Sequence, residues 1–115
     1  MGMCSKSVLN EITSRVVNAA QISLGEKLDK VILYGSYARG DNDNESDIDI
    51  RVLANIPWED RGNERNKIRT MLGNIELDFD VVLTLKVADS KTFNKFLSVE
   101  PFYMNVMKDG VVLSA

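Results

Sequence analysis

The residues of this sequence best suited to chemistry are three aspartates, Asp47, Asp49 and Asp80. Asp47 and Asp49 lie two residues apart in a segment that alternates polar and apolar residues. On a strand, both side chains would project from the same face, roughly 6.6 Å apart. Ile48 and Ile50 would then anchor the other face in the core. Asp80 lies in a second alternating segment, and if the two strands are neighbours its carboxylate comes within roughly 5 Å of the pair.

Three carboxylates this close repel one another unless a cation lies between them. Mg²⁺ prefers oxygen ligands and binds a few carboxylates together with substrate phosphates. Two such ions about 3.5–4 Å apart can polarise an attacking hydroxyl and neutralise a leaving phosphate. Spacing alone fits a solvated strand face at least as well, so the neighbouring motifs must decide between the two interpretations.

A second feature is the pair Gly35 and Ser36, which directly follows the short apolar run Val31–Tyr34. The run is typical of a buried strand. A glycine at its end lets the backbone approach a ligand closely, and a helix starting near Ser36 would direct free N–H groups at an anion. Ser36 adds a hydroxyl donor, and Arg39 could reach a phosphate as a fixed charge. By itself this pattern also fits an ordinary turn from strand to helix.

Composition excludes several classes of chemistry. The 115 residues contain no histidine and only one cysteine, Cys4, which rules out Ser-His-Asp and Cys-His catalysis, imidazole zinc sites and internal disulfides. Lys and Arg number 14 against 17 Asp and Glu, a net charge of −3 that argues against extended binding to a nucleic-acid backbone.

We expect one domain over residues 1–115. With neither a secretion leader nor an apolar run of about 18 residues, we expect no membrane partner and a cytoplasmic location.

The elements that must position these residues follow from hydrophobic periodicity. Helical spacing predicts a helix over Ser7–Leu24, a helix late in 57–73 and a helix from Asp89. Strands are predicted over Val31–Tyr34, Asp47–Leu53, Leu77–Leu85 and Val111–Leu113, with a short helix between Pro101 and Gly110. Strands separated by helices indicate an α/β domain around a small sheet.

The predicted helix within residues 57–73 carries a locally basic stretch. Its members are Arg61, Arg65, Lys67 and Arg69. These side chains could contact a phosphate or an acidic partner. A solvated helix face is the interpretation that we favour, because charge runs are usually exposed.

Taken together, Gly35-Ser36, ten further residues, Asp47-Ile48-Asp49 and an Asp80 with apolar flanks resemble the signature of a nucleotidyltransferase. The chain resembles the minimal nucleotidyltransferases of the DNA polymerase β superfamily, which are small antitoxin-type proteins often encoded beside a HEPN-domain partner. The segment 33–40 matches that family closely, and the resemblance extends over about residues 8–113. It implies a small mixed β-sheet packed with helices, the palm-like fold of this superfamily.

The resemblance implies a role for each carboxylate. Asp47 and Asp49 correspond to the paired metal ligands of the family motif. Asp80 corresponds to the third carboxylate, a further metal ligand expected to activate the acceptor hydroxyl. Asp78 shares the predicted strand face with Asp80 and stays an alternative for that position. The implied cofactor is Mg²⁺, in a two-metal site.

The resemblance also implies the reaction. Gly35 and Ser36 correspond to the loop that holds the β- and γ-phosphates of a nucleoside triphosphate. An acceptor hydroxyl attacks the α-phosphate, pyrophosphate leaves, and a nucleoside monophosphate stays on the acceptor. The expected nucleotide is ATP and the expected acceptor is a HEPN-type toxin.

Two other functions stay open. One is a module that binds a nucleotide or a toxin without catalysis. The other is nucleotidyl transfer to a small molecule such as an aminoglycoside, which the lack of room for an acceptor-binding second domain makes less attractive.

Overall fold

The computed structural model describes residues 5–40, 42, 47–97 and 110–114. Five α-helices lie in this part of the chain: α1 (Lys6–Leu24), α2 (Gly35–Arg39), α3 (Arg61–Leu72), α4 (Ile75–Phe79) and α5 (Ser90–Leu97). Its strands are β1 (Leu28–Tyr34), β2 (Ile48–Ala54), β3 (Leu83–Asp89) and β4 (Val111–Ser114). The short helix predicted between Pro101 and Gly110 lies outside the described residues.

The four strands form one mixed sheet in the order β3-β2-β1-β4. β1 runs antiparallel to both β2 and β4, whereas β2 and β3 are parallel. A parallel pair needs a crossover connection, which here contains α3 and α4. The predicted α/β class with a small mixed sheet is therefore confirmed.

The main core lies between one face of the sheet and helices α1 and α3. α1 begins after Ser5, whose side chain accepts a hydrogen bond from the backbone N–H of Val8, and it buries Ile12 and Val16 at helical spacing. On β2, Ile48 and Ile50 are fully buried, as the alternation predicted. Each such side chain contributes about 1.5–3 kcal/mol by its removal from water.

The opposite face of the sheet carries a smaller apolar cluster. Ile32 and Tyr34 of β1 and Leu53 of β2 pack there with Phe93 of α5. Polar side chains of β2 and β3 share this face, because strand residues alternate between faces. The site described below is built on it.

The strand predicted over Leu77–Leu85 is wrong in its first half. Residues Ile75–Phe79 form α4, Asp80 follows in the left-handed region with φ 54°, and β3 begins only at Leu83. Ile75 is buried and Phe79 half-buried, while Leu77 is 82% exposed. Ile75 and Phe79 lie four residues apart, so a helix buries both on one side. This burial outweighed the two-residue alternation that had predicted a strand.

The interpretation of the basic stretch as a solvated helix face is also partly wrong. The Arg65 Nε donates a 2.8 Å hydrogen bond to the backbone carbonyl of Leu85, and Arg69 Nη1 lies 3.5 Å from the carbonyl of Leu83. Lys67 does point to solvent, and it pairs with Glu64 of its own helix. Two of the arginines thus cover the outer edge of β3.

Within the described ranges, no helix is both long and apolar enough to cross a membrane.

Candidate active site

Asp49 lies at the centre of the candidate site. It pairs with Tyr34 of antiparallel β1 on one side and with Thr84 of parallel β3 on the other. Residues paired across a sheet point to the same face, so these three side chains form one row. Asp47 directly precedes β2 and is exposed. The structure therefore brings Asp47 and Asp49 to the start of β2, with Ile48 buried between them.

The carboxylate of Asp49 has an unsatisfied oxygen. Its Oδ1 is buried and has no hydrogen-bond partner. Buried charged oxygens are costly unless a donor or a cation is in contact with them. Together with the exposed carboxylate of Asp47 two residues earlier, this oxygen fits one hard divalent cation of the Mg²⁺ type.

The turn between β1 and α2 brings Gly35 close to the carboxylate of Asp49. Its φ is +73°, in the region that favours glycine, and a Cβ built on it would lie 3.8 Å from the Cβ of Asp49. Ser36 is half-buried in the first turn of α2, and Arg39 is exposed at the end of that helix. The turn expected to hold phosphates therefore lies directly beside the aspartate expected to hold the metal.

Tyr34 stays protonated beside Asp49. Burial raises the pKa of its hydroxyl from 10.0 to about 12; the guanidinium of Arg51 opposes this rise, and the charge of Asp49 adds to it. The ring lies close to Gly110, where an added Cβ would be only 2.7 Å from the Tyr34 Cε1. No second negative charge therefore develops next to Asp49 near neutral pH.

Asp80 does not join the other two aspartates. It lies exposed at the end of α4, three residues before β3, and Asp78 is an exposed residue of the same helix rather than a neighbour on a strand face. Among the residues that the structure describes, no group of three His, Cys, Asp or Glu side chains could hold a metal. Among the described residues, the structure therefore does not show the expected cluster of three carboxylates.

Two residues on this face of the sheet, Arg51 and Thr84, were not predicted from the sequence. Arg51 is 8% exposed, and its Cζ lies 5.4 Å from the centre of the Tyr34 ring and 5.9 Å from that of Phe93. The alternation of the segment could have predicted Arg51, because a residue two positions after Asp49 lies on the same face of the strand. Thr84 had no such signal, since only the register of β2 with β3 places it beside Asp49.

The family of the chain follows from comparison with known proteins. Residues 19–113 match the family described as "Polymerase beta, Nucleotidyltransferase". The chain therefore belongs to this family and carries a nucleotidyltransferase domain.

Individual relatives agree with that assignment. One, from Methanocaldococcus jannaschii and named "putative protein adenylyltransferase", is 33% identical over 97 residues, which cover 84% of this chain and 89% of the relative. A second protein of that name from the same organism is 41% identical over 61 residues, covering 53% of this chain and 60% of the relative.

Two solved structures share the fold. A Sulfolobus solfataricus protein named "putative nucleotidyltransferase" aligns over 97% of this chain and 89% of its own, with 21% identity and a TM-score of 0.55. A crystal structure described as a toxin-antitoxin with AMP-PNP covers 90% of this chain and 73% of its own, with 20% identity and a TM-score of 0.51. At these identities the likeness establishes the fold.

Proposed function

We propose that this protein transfers AMP from ATP to a hydroxyl of a partner protein. The observation that carries the proposal is that the Gly35 turn lies beside Asp49, whose Oδ1 is buried without a partner. A triphosphate approaching the backbone at Gly35 would lie beside a buried carboxylate oxygen that has no hydrogen-bond partner. The relatives named as protein adenylyltransferases support the choice of ATP and of a protein acceptor.

Each side chain has a proposed part in the reaction. Asp47 and Asp49 would hold Mg²⁺, which when bound neutralises charge on the phosphates and polarises the attacking hydroxyl. Ser36 donates to the β- or γ-phosphate, and Arg39 offers a fixed positive charge. The acceptor oxygen bonds to the α-phosphorus, the bond to the bridging oxygen of the β-phosphate breaks, and pyrophosphate leaves with that electron pair.

Asp80 remains the proposed acceptor of the hydroxyl proton. It lies at the entrance to β3, where the N–H of Ile48 donates to the carbonyl of Val82 at 2.8 Å, and so at the same end of the sheet as Asp47. The proposed acceptor is a HEPN-type toxin, in the cytoplasm. The position of Asp80 outside a cluster favours one second candidate, a module that binds the nucleotide without catalysis.

Labelled ATP tests the reaction. The protein is mixed with Mg²⁺ and an extract of its own cells, and receives ATP labelled at the α-phosphate in one reaction and at the γ-phosphate in another. We expect label on a discrete protein band from the α-phosphate alone. Label from the γ-phosphate would indicate a kinase, and Mg·ATP binding without any labelled band would favour the binding module.

Aspartate variants test the site. Asp49→Asn should lower transfer at least about 100-fold, because Mg²⁺ would lose a ligand and the phosphates would lose the positive charge that neutralises them in the transition state. Its free energy of unfolding should be unchanged or higher, since the change removes an unpaired buried charge. Asp80→Asn should also lose transfer, whereas the neighbouring Asp78→Asn is the matched control and should keep it. Full transfer by Asp49→Asn would disprove the assignment.

A further inference from the structure

A cavity lies at the outer edge of β3, between the start of α3 and α5. Its volume is about 210 Å³. Its lining includes Arg51, Arg61, Lys86, Asp89, Thr92 and Phe93. We call this cavity the edge groove. None of the residues assigned above to metal, phosphate or proton transfer lines it.

The edge groove contains an unsatisfied donor and an unsatisfied acceptor. Arg51 is 8% exposed, and its Nε has no hydrogen-bond partner. Asp89 is 6% exposed; its Oδ1 accepts a 2.8 Å hydrogen bond from the Thr92 N–H, but its Oδ2 has no partner. Buried polar atoms are rarely left unpaired, and each such case calls for an explanation. A ligand that both accepts and donates would satisfy both atoms.

Charge and size restrict that ligand. Arg51, Arg61 and Lys86 face the single carboxylate of Asp89, so the lining carries a net charge of +2 in a chain whose net charge is −3. This charge favours an anion. Sites for drug-sized ligands occupy about 300–1,000 Å³, so the edge groove suits one side-chain-sized group rather than a whole nucleotide.

The outward-facing backbone groups of β3 favour a peptide as the ligand, with the anionic group on one of its side chains. In a parallel pair, alternate residues of an edge strand direct their backbone groups away from the neighbouring strand. Val82 bonds to β2, so Leu83, Leu85 and Val87 face outward. Arg69 covers the carbonyl of Leu83, and Arg65 covers that of Leu85. Val87 is the next residue whose backbone faces outward, and it lines the edge groove. An extended peptide can hydrogen-bond to such an edge.

We propose that the edge groove binds an acidic peptide segment of the acceptor protein, a role that rests on the proposed function. A Glu or Asp side chain of the segment accepts from Arg51 and lies near Lys86, while a backbone N–H of the segment donates to the Asp89 Oδ2. Arg51 lies two residues beyond Asp49 on the same face, roughly 6.6 Å along β2. The acceptor hydroxyl therefore lies within a few residues of the acidic side chain.

Peptide binding tests the edge groove without transfer. The probe is a fluorescein-labelled peptide Gly-Glu-Gly-Tyr-Gly, and its counterpart has Gln in place of Glu. Fluorescence anisotropy should show binding of the Glu peptide about fivefold tighter than the Gln peptide, with affinity that falls as salt rises. Lys86→Gln should weaken the Glu peptide about threefold or more. The exposed Lys86 can be changed without disturbing the core.

Lys67→Gln is the matched control, because it removes the same charge from a solvent-facing position of α3. Arg51→Met should weaken the Glu peptide about tenfold, provided that its thermal unfolding matches that of the unmutated protein. Equal binding of the Glu and Gln peptides, or equal effects of Lys86→Gln and Lys67→Gln, would overturn the proposal. Loss of transfer with peptide binding retained would count against the proposed function alone, and transfer without peptide binding against the edge groove alone.

Discussion

At the scale of single residues, Tyr34 shows how the site controls its own charge. The phenol is 4% exposed, lies beside Asp49 in the sheet, and has its pKa raised to about 12, chiefly by burial. The neighbouring Asp49 also disfavours the phenolate, because a second anion would repel its carboxylate. Tyr34 therefore adds no negative charge to the row that it forms with Asp49 and Thr84.

This protonation gives a stability test at alkaline pH. A raised folded pKa means that the contribution of Tyr34 is complete below pH 10, the unfolded value, and is lost as pH rises to about 12. Over that window the unmutated protein should lose about 2–3 kcal/mol more unfolding free energy than Tyr34→Phe. Urea titrations at several pH values measure both proteins, and the other tyrosines cancel in the difference. Parallel curves would contradict the assigned cause.

At the scale of elements, the turn between β1 and α2 depends on backbone conformation rather than on space. A methyl group at Gly35 would meet the Asp49 Cβ at 3.8 Å, an ordinary contact, but φ is +73° there. The conformation of the chain at this one residue therefore brings the helix start to the aspartate.

An alanine at Gly35 tests this. Gly35→Ala should lower the free energy of unfolding by about 1–2 kcal/mol, because an L side chain is strained at this φ. Gly62→Ala is the control, since Gly62 lies in α3 with open space around its Cβ position. It should raise stability by up to about 1 kcal/mol. Thermal or urea unfolding of both variants gives the comparison, and a neutral Gly35→Ala would show that the turn tolerates a side chain.

The contact of α3 with the outer edge of β3 gives a second test at this scale. Edge strands with free backbone groups pair with other chains unless they are covered. Arg65→Met removes the donor to the Leu85 carbonyl but keeps most of the apolar stem. We expect a loss of about 1 kcal/mol and concentration-dependent association in sedimentation. Lys67→Met on the same helix should do neither, and association by both variants alike would point to surface hydrophobicity instead.

At the scale of the whole molecule, the buried face of β2 couples the site to the core. Ile50 is fully buried next to Asp49 and packs in the cluster shared with α1 and α3. Ile50 thus anchors, from the core side, the strand that carries Asp49 on its opposite face.

Truncation of Ile50 should be among the costly changes. Ile50→Ala should lower the free energy of unfolding by about 2–5 kcal/mol, a large part of the roughly 5–15 kcal/mol typical of a domain. Val112→Ala, at a residue that is 49% exposed on β4, should change it by no more than about 0.5 kcal/mol. Urea unfolding measures both, and similar losses would mean that the core is centred elsewhere.

Local periodicity predicted the parts of the site that one strand or one turn contains. Asp47, Asp49 and the buried isoleucines between and after them follow from a side-chain period of two, which needs no tertiary information. The glycine turn after β1 was likewise readable, because a strand that ends in Gly-Ser restricts the backbone locally. The α/β class followed from the order of such segments, whereas the mixed sheet was implied by the family resemblance.

Tertiary structure decided what depends on two elements at once. The segment Ile75–Phe79 fits either a strand or a helix by its own pattern, and burial of Ile75 settled it as a helix, which moved Asp80 off β3. Register alone placed Thr84 beside Asp49, and packing alone turned Arg65 toward the edge of β3. Short-range periodicity constrains which way a side chain faces along its own element. Which partner it meets depends on free energies of burial and pairing that only the folded chain supplies.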